Sequence, residues 1–209
     1  MTRRSPTSDL RRRRPQLEPR RRILIVCEGR RTEPEYFQAL RVKLRAVVEV
    51  QIEPGGPDPK ILVERAVARK RDTDREARLQ RDRFLRYDEI WCVFDTDEHP
   101  KLADARQQAQ AHGIELAISN PCFELWALLH FQDQSAFLER HVAVTRLKKH
   151  LPHYKKVLPF EVLHPKYPAA VLRAQELDRR CQDAGRPGNN PSTGVYRLTE
   201  SMRIGSRSV

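Results

Sequence analysis

The feature that most constrains the fold of this chain is a recurring order, in which a short, unbroken apolar run stops at a turn and a segment with helical spacing follows. Ile23 to Cys27 (ILIVC) is apolar throughout and β-branched at three of five positions, as suits a strand covered on both faces. It stops at Glu28-Gly29. Tyr36, Phe37, Leu40 and Leu44 then recur at helical spacing, behind Thr32 and Glu35, which fit a capping box, and Pro34, which a first turn tolerates. The order repeats with a strand at Val47 to Ile52, a turn at Pro54 to Pro57 and a helix from about Asp58 that carries Ile61, Leu62, Ala66 and Val67. The charge-rich stretch Arg69 to Arg86 continues as an exposed helix. A third strand, Ile90 to Phe94, runs into Asp95-Thr96-Asp97-Glu98. Leu102 to His112 reads as a helix closed by Gly113, and Ile114 to Ser119 as a fourth strand. Parallel strands need crossovers of about this length, so the alternation predicts an α/β fold, a mainly parallel sheet with helices on both faces.

Asn120 to Phe131 is apolar all round, as a buried helix is. Beyond Phe131 the periodicity weakens through several prolines and a basic patch (Arg146, Lys148, Lys149, Lys155, Lys156). A helix returns at about Pro168 to Ala184, and a polar turn, Asn189 to Gly194, enters a last helix at Val195 to Met202. The C-terminal part is therefore expected to be helical. With 209 residues, 39% of them hydrophobic, one folded domain over 23–202 is expected.

Charge is unevenly spread along the chain. Residues 1–22 hold nine arginines against Asp9 and Glu18, so +7 of the net +12 lies there and +5 in the remainder. Such a segment buries too little surface to offset its ordering entropy and reads as a disordered basic arm, able to grip nucleic-acid phosphates or simply to keep the chain in solution. Residues 203–209 form a tail. No run reaches the roughly eighteen apolar residues that cross a bilayer, and no secretory leader is evident, so a cytoplasmic protein is expected. The four cysteines (Cys27, Cys92, Cys122, Cys181) lack the close pairs that structural zinc requires and read as buried free thiols. None of the seven histidines has a partner at metal spacing.

Open parallel sheets bind ligands beyond the carboxyl ends of their strands, which gives acids there special weight. Glu28 follows the first strand; Asp95 and Asp97 follow the third. In extended chain the period of two sends Asp95 and Asp97 to one side, where both can face a Mg²⁺ or Mn²⁺ ion. Glu28 can complete that site or act as general acid or base on a phosphodiester. A bland reading stays open, in which these acids only cap positive helix N-termini. Glu124, alone in an apolar helix, needs a partner: a metal, an arginine or its own helix start. Glu33 and Glu98 lie near the same edge but read as helix-start or loop acids. Arg30 and Arg31 either hold a substrate phosphate or face water. Asn190, Ser192 and Thr193 either offer backbone amides to an anion or cap a helix.

Cys27-Glu28-Gly29 with Thr32-Glu33-Pro34-Glu35-Tyr36-Phe37, Phe94-Asp95-Thr96-Asp97-Glu98-His99, Ser119-Asn120-Pro121-Cys122-Phe123-Glu124-Leu125-Trp126 and Asn190-Pro191-Ser192-Thr193 together resemble the RloB family, over about residues 22 to 202. The resemblance implies a Toprim-like Rossmannoid fold, shared with topoisomerases, DnaG-type primases and OLD-family nucleases. It implies Glu28 as general acid/base and Asp95 and Asp97 as Mg²⁺ ligands of a nuclease. It also implies a phage-defence or abortive-infection setting and a neighbouring AAA or ABC-type ATPase as partner. The chain has no Walker A pattern of its own. The arginine arm lies outside the resemblance, and the motifs choose neither RNA (tRNA among it) nor DNA. Two other readings remain. A Toprim-like module that binds nucleic acid or the ATPase without cutting would use the arm for affinity. A haloacid-dehalogenase-like phosphatase would use Asp95 as nucleophile and Ser119 for phosphate, but it leaves Glu28 idle and expects the D-x-D on the first strand. Oligomeric state leaves no mark on the sequence.

Overall fold

The unbroken hydrophobicity of the first apolar run has its cause in the centre of a sheet, where that run has a strand on each side and helices above and below. The structure, a computed structural model, describes residues 21–44, 48–54, 58–96 and 102–204. In chain order it comprises β1 (Arg21–Cys27), α1 (Thr32–Lys43), β2 (Val48–Pro54), α2 (Pro59–Gln80), β3 (Glu89–Asp95), α3 (Leu102–His112), β4 (Glu115–Asn120), α4 (Glu124–Leu129), α5 (Arg140–His150), α6 (Phe160–Leu163), α7 (Tyr167–Asp183), β5 (Ser192–Thr193) and α8 (Val195–Arg203). The sheet order is β2-β1-β3-β4-β5. The first four strands are parallel and β5 runs antiparallel to β4. The expected α/β architecture, with helices on both faces and a helical C-terminal part, is thus observed.

Register decides which face each strand residue serves. Ile23, Ile25 and Cys27 of β1, with Trp91 and Val93 of β3, join the larger core beneath α1, α4, α5, α7 and α8. Leu24, Val26, Ile90, Cys92 and Phe94 join the smaller core beneath α2 and α3. Asp95 pairs with Ser119 and shares the phase of Trp91 and Val93, so its side chain belongs to the larger core's side. There Tyr36 of α1 meets Phe123, Trp126 and Phe160 edge-on or tilted, with ring centroids 5.7, 6.5 and 5.8 Å away. Aromatic pairs of this kind add about 0.5–1.5 kcal/mol each beyond burial. They lock α1 against α4.

Several local expectations are revised. Arg21 and Arg22 belong to β1 rather than to an arm: Arg21 pairs with Glu89 and donates to the Ser201 carbonyl (2.8 Å), and Asp88 accepts from the Arg22 amide (2.7 Å). Residues 1–20 lie outside the described residues. The capping box at Thr32 and Glu35 does not form. Arg31 is the N-cap, without a side-chain bond, and the Thr32 hydroxyl donates to the Lys156 carbonyl instead (3.0 Å). The charged stretch after Arg69 continues α2 only to Gln80, where Arg81 turns left-handed at φ 52°. The buried helix within 120–131 is α4 alone, six residues long, every one buried. The helix α5 and the strand β5 were not foreseen. Cys27, Cys92 and Cys122 are buried free thiols and Cys181 is a partly exposed one. Among the described residues no helix is long and apolar enough to cross a membrane.

His130, which ends α4, is buried; its Nδ1 donates to the Trp126 carbonyl (2.9 Å) and its Nε2 has no partner among the described residues. Burial pushes its pKa down to about 4. A folded-state value below the unfolded one means that stability is present in full above about pH 6.5 and is lost as pH falls towards 4. Across that window His130 should cost the wild type roughly 3 kcal/mol that His130→Leu does not lose. Urea denaturation of both proteins at intervals between pH 7 and 4 checks it.

Candidate functional site

Four carboxylates meet beyond the carboxyl ends of β1 and β3, in a cleft of about 420 Å³ lined by Glu28, Glu33, Asp95, Glu124, Arg30, Arg31, Arg140 and Lys156, among others. Glu28 arrives because its amide prolongs the ladder, donating to the Val93 carbonyl (2.9 Å). Its Oε2 in turn accepts from the amide of Asp95 (3.1 Å). The ends of two neighbouring strands are therefore tied together through one carboxylate. Asp95 is 5% exposed. Its Oδ2 accepts from Arg140 Nη2 at 2.5 Å. Asp97 and Glu98 lie outside the described residues.

Glu33 is the helix-start acid that its position suggests, in the first turn of α1, and at 7% exposure, with its carboxyl against Gly29, it also lines the cleft. A Cβ on Gly29 would fall 1.9 Å from Glu33 Oε2, so residue 29 must be glycine for Glu33 to lie there. Glu124 finds partners of the kind its burial demanded: Tyr154 Oη and Lys156 Nζ both donate to its Oε1 at 2.8 Å. Lys156 is held at φ 67°, a left-handed conformation uncommon for a lysine, with its carbonyl on Thr32 and its ammonium on Glu124.

Electrostatics separate these acids. Burial pushes the Asp95 carboxyl well above the usual range; Arg140 opposes the rise, and Glu33, Glu124 and Glu28 add to it. Glu33 is raised by burial first, then by repulsion from Glu124 and Glu28. Burial acts on Glu124 in the same sense, but the Lys156 hydrogen bond and charge, with the Tyr154 hydroxyl, bring it below its ordinary value. Burial lowers Lys156, and Glu124 more than offsets it. The donors suit a hard divalent cation, being all carboxylate oxygen and crowded by like charge. Among the described residues, no three acidic, histidine or cysteine side chains are spaced to hold an ion.

Of the basic residues expected at the site, Arg30 and Arg31 line the cleft and are exposed, with Arg31 Nε 3.5 Å from Glu35 Oε1. Asn190, Ser192 and Thr193 are elsewhere. The Asn190 amide brackets Leu138, accepting from its N–H and donating to its carbonyl, both at 2.8 Å. Ser192 and Thr193 form β5, and the Thr193 hydroxyl pairs with that of Ser119 at 2.9 Å. Ser119, 1% exposed, does not line the cleft, which removes the phosphate ligand of the phosphatase reading. The Asn120-Pro121 and Asn190-Pro191 bonds are both cis. Arg140 was missed because the start of α5 carries no capping or acidic signal. Lys156 was visible only as one member of a basic patch.

The family model described as RloB-like protein matches residues 23–202, most of the chain. Comparison with curated proteins and with solved structures finds no match.

The folded-state pKa of Glu33 lies above the unfolded one, so its ionisation weakens the fold at neutral pH and not below about pH 4. In metal-free buffer Glu33→Gln should raise the melting temperature by a few degrees at pH 8 and leave it unchanged near pH 4, as read by differential scanning calorimetry. Asn190→Ala strips Leu138 of two hydrogen bonds and should cost about 1–3 kcal/mol in urea denaturation.

Proposed function

This chain belongs to the RloB-like protein family, and from that membership and its carboxylate cleft we propose that it is a divalent-metal-dependent nuclease. It hydrolyses phosphodiester bonds in RNA, tRNA among it, or in DNA. It acts in the cytoplasm as part of a phage-defence system, under the control of a partner ATPase that supplies the nucleotide hydrolysis for which this chain has no Walker A pattern. The observation that carries the reading is the direct link from Glu28, at the end of β1, to Asp95, at the end of β3. Two acids of separate motifs meet at the strand ends where open parallel sheets bind ligands.

Asp95, with Asp97, would hold Mg²⁺ or Mn²⁺, and Glu28 would complete the ligand set or serve the proton. Such an ion supplies charge neutralisation for the scissile phosphate and the departing oxygen. Glu28 takes the proton of the attacking water or returns one to the leaving oxygen, and its bond to the Asp95 amide fixes its distance from the reacting phosphate. Arg30, Arg31, Arg140 and Lys156 ring the cleft and orient the phosphates on either side. Burial of Asp95 and Glu124 keeps bulk water away and strengthens every charge interaction inside.

Labelled tRNA, single-stranded RNA and plasmid DNA, incubated with Mg²⁺ or Mn²⁺ against EDTA, test the proposal. The wild type should cut at least one of them only with metal, and Glu28→Gln and Asp95→Asn should each reduce the rate at least about a hundredfold while remaining folded. No cutting by the wild type, even with its ATPase partner added, would leave a module that binds nucleic acid or the ATPase without catalysis.

A further inference from the structure

Arg140 reaches Asp95 across 45 residues of sequence, from the first residue of α5. Two positions before it, Leu138 is buried and clasped at both its N–H and its carbonyl by Asn190. The start of α5 is thus placed by the loop before β5, and Arg140 is delivered to one carboxylate oxygen. The ion pair is asymmetric. The Asp95 side chain is 7% exposed and that of Arg140 46%.

From this we propose that Arg140 is the resident counter-ion of Asp95, exchanged for the divalent cation when the ion arrives and turned then towards the substrate phosphate. The inference rests on the metal-site reading above. Asp95 has little water to replace a lost cation, so while ionised it must hold either Arg140 or another positive charge. Arg140, 46% exposed, has open space beside the cleft to turn into. Its guanidinium fork matches two phosphate oxygens, which a lysine at that place does not. The second ion pair of the cleft is as asymmetric, with Lys156 60% and Glu124 3% exposed, but its cation has no guanidinium fork and its carboxylate has a second donor. Glu124 is shared by Tyr154 and Lys156, and the Lys156 carbonyl is held by Thr32, so that pair braces the loop. Among the described residues, Arg140 is the side chain that hydrogen-bonds the Asp95 carboxylate. Glu28, Glu33 and Glu124 face the same space and draw in whichever cation is present.

The test is titration of Mn²⁺ alone into the full chain, wild type beside Arg140→Gln, Arg140→Lys and Asp95→Asn, with the melting temperature of each recorded. Arg140→Gln should bind Mn²⁺ more tightly, on the order of tenfold, Arg140→Lys close to wild type, and Asp95→Asn far more weakly. At saturating Mn²⁺ a labelled single-stranded oligonucleotide should bind Arg140→Gln more weakly than wild type, with a salt dependence smaller by about one contact. Opposite signs for metal and oligonucleotide are what a merely structural arginine does not produce. Mn²⁺ affinity unchanged or reduced in Arg140→Gln overturns the exchange while the metal site stands. Mn²⁺ binding that Asp95→Asn leaves intact, or that is absent from every variant, overturns the metal reading and the exchange with it. Should Arg140→Gln fail to fold, the wild type itself decides by NMR: the Arg140 Nη2–H that bonds to Asp95, assigned by its loss in Arg140→Lys, should exchange faster with water after Mg²⁺ is added, and an unchanged rate rejects the proposal.

Discussion

Carboxylates crowded where water is scarce repel one another, and each would rather be protonated than lie beside the next. Glu28, Glu33, Asp95 and Glu124 are gathered in one cleft regardless, and much of the surrounding architecture offsets the cost. The Asp95 amide takes one oxygen of Glu28; Tyr154 and Lys156 take one of Glu124; Arg140 takes one of Asp95. For Glu33, its own helix-start amide and the more distant Lys156 work against the burial. Such a cleft is a poor way to stabilise a fold, and that is the ground for the divalent ion proposed above.

The offsetting cations come from the part of the chain that the strand and helix pattern describes least well. Arg140 opens α5 and Lys156 lies in the loop after it. Each is set in place by a contact with a distant segment, Leu138 by Asn190 and the Lys156 carbonyl by Thr32. The ends of β1 and β3, with α1, supply Glu28, Asp95 and Glu33, and the C-terminal helical part supplies Glu124 together with both cations, Arg140 and Lys156. The aromatic contacts of Tyr36 with Phe123, Trp126 and Phe160 hold the two halves at the spacing this requires.

Legibility in the sequence followed the range of the interaction. The parallel strands, the acids at their ends and the buried nature of α4 could be read because apolar phase is a local property. Where a residue's partner lay far along the chain, the local rule misled. Thr32 fits a capping box, yet its hydroxyl serves Lys156. Asn190 and Thr193 read as an anion-binding turn or a helix cap; their side chains bond to Leu138 and Ser119, and Thr193 Oγ1 also accepts from the Val195 amide at the start of α8. Glu33 is a helix-start acid as its position suggests, and the absence of a side chain at Gly29 lets it lie in the cleft as well. The strand β5 was invisible, being two polar residues whose pairing with β4 depends on position and not on β-propensity.

By itself, then, the sequence determined the layering of the fold and the gathering of acids at one edge of the sheet, because a run such as ILIVC followed by Glu28-Gly29 has few other ways to bury its side chains. Only the tertiary structure decided which charges meet. Arg140 and Asp95 stand 45 residues apart, Lys156 and Glu124 32, and Asn190 and Leu138 52. No periodicity spans such separations; the pairing of a buried carboxylate is settled by whichever donor the packed helices bring within reach.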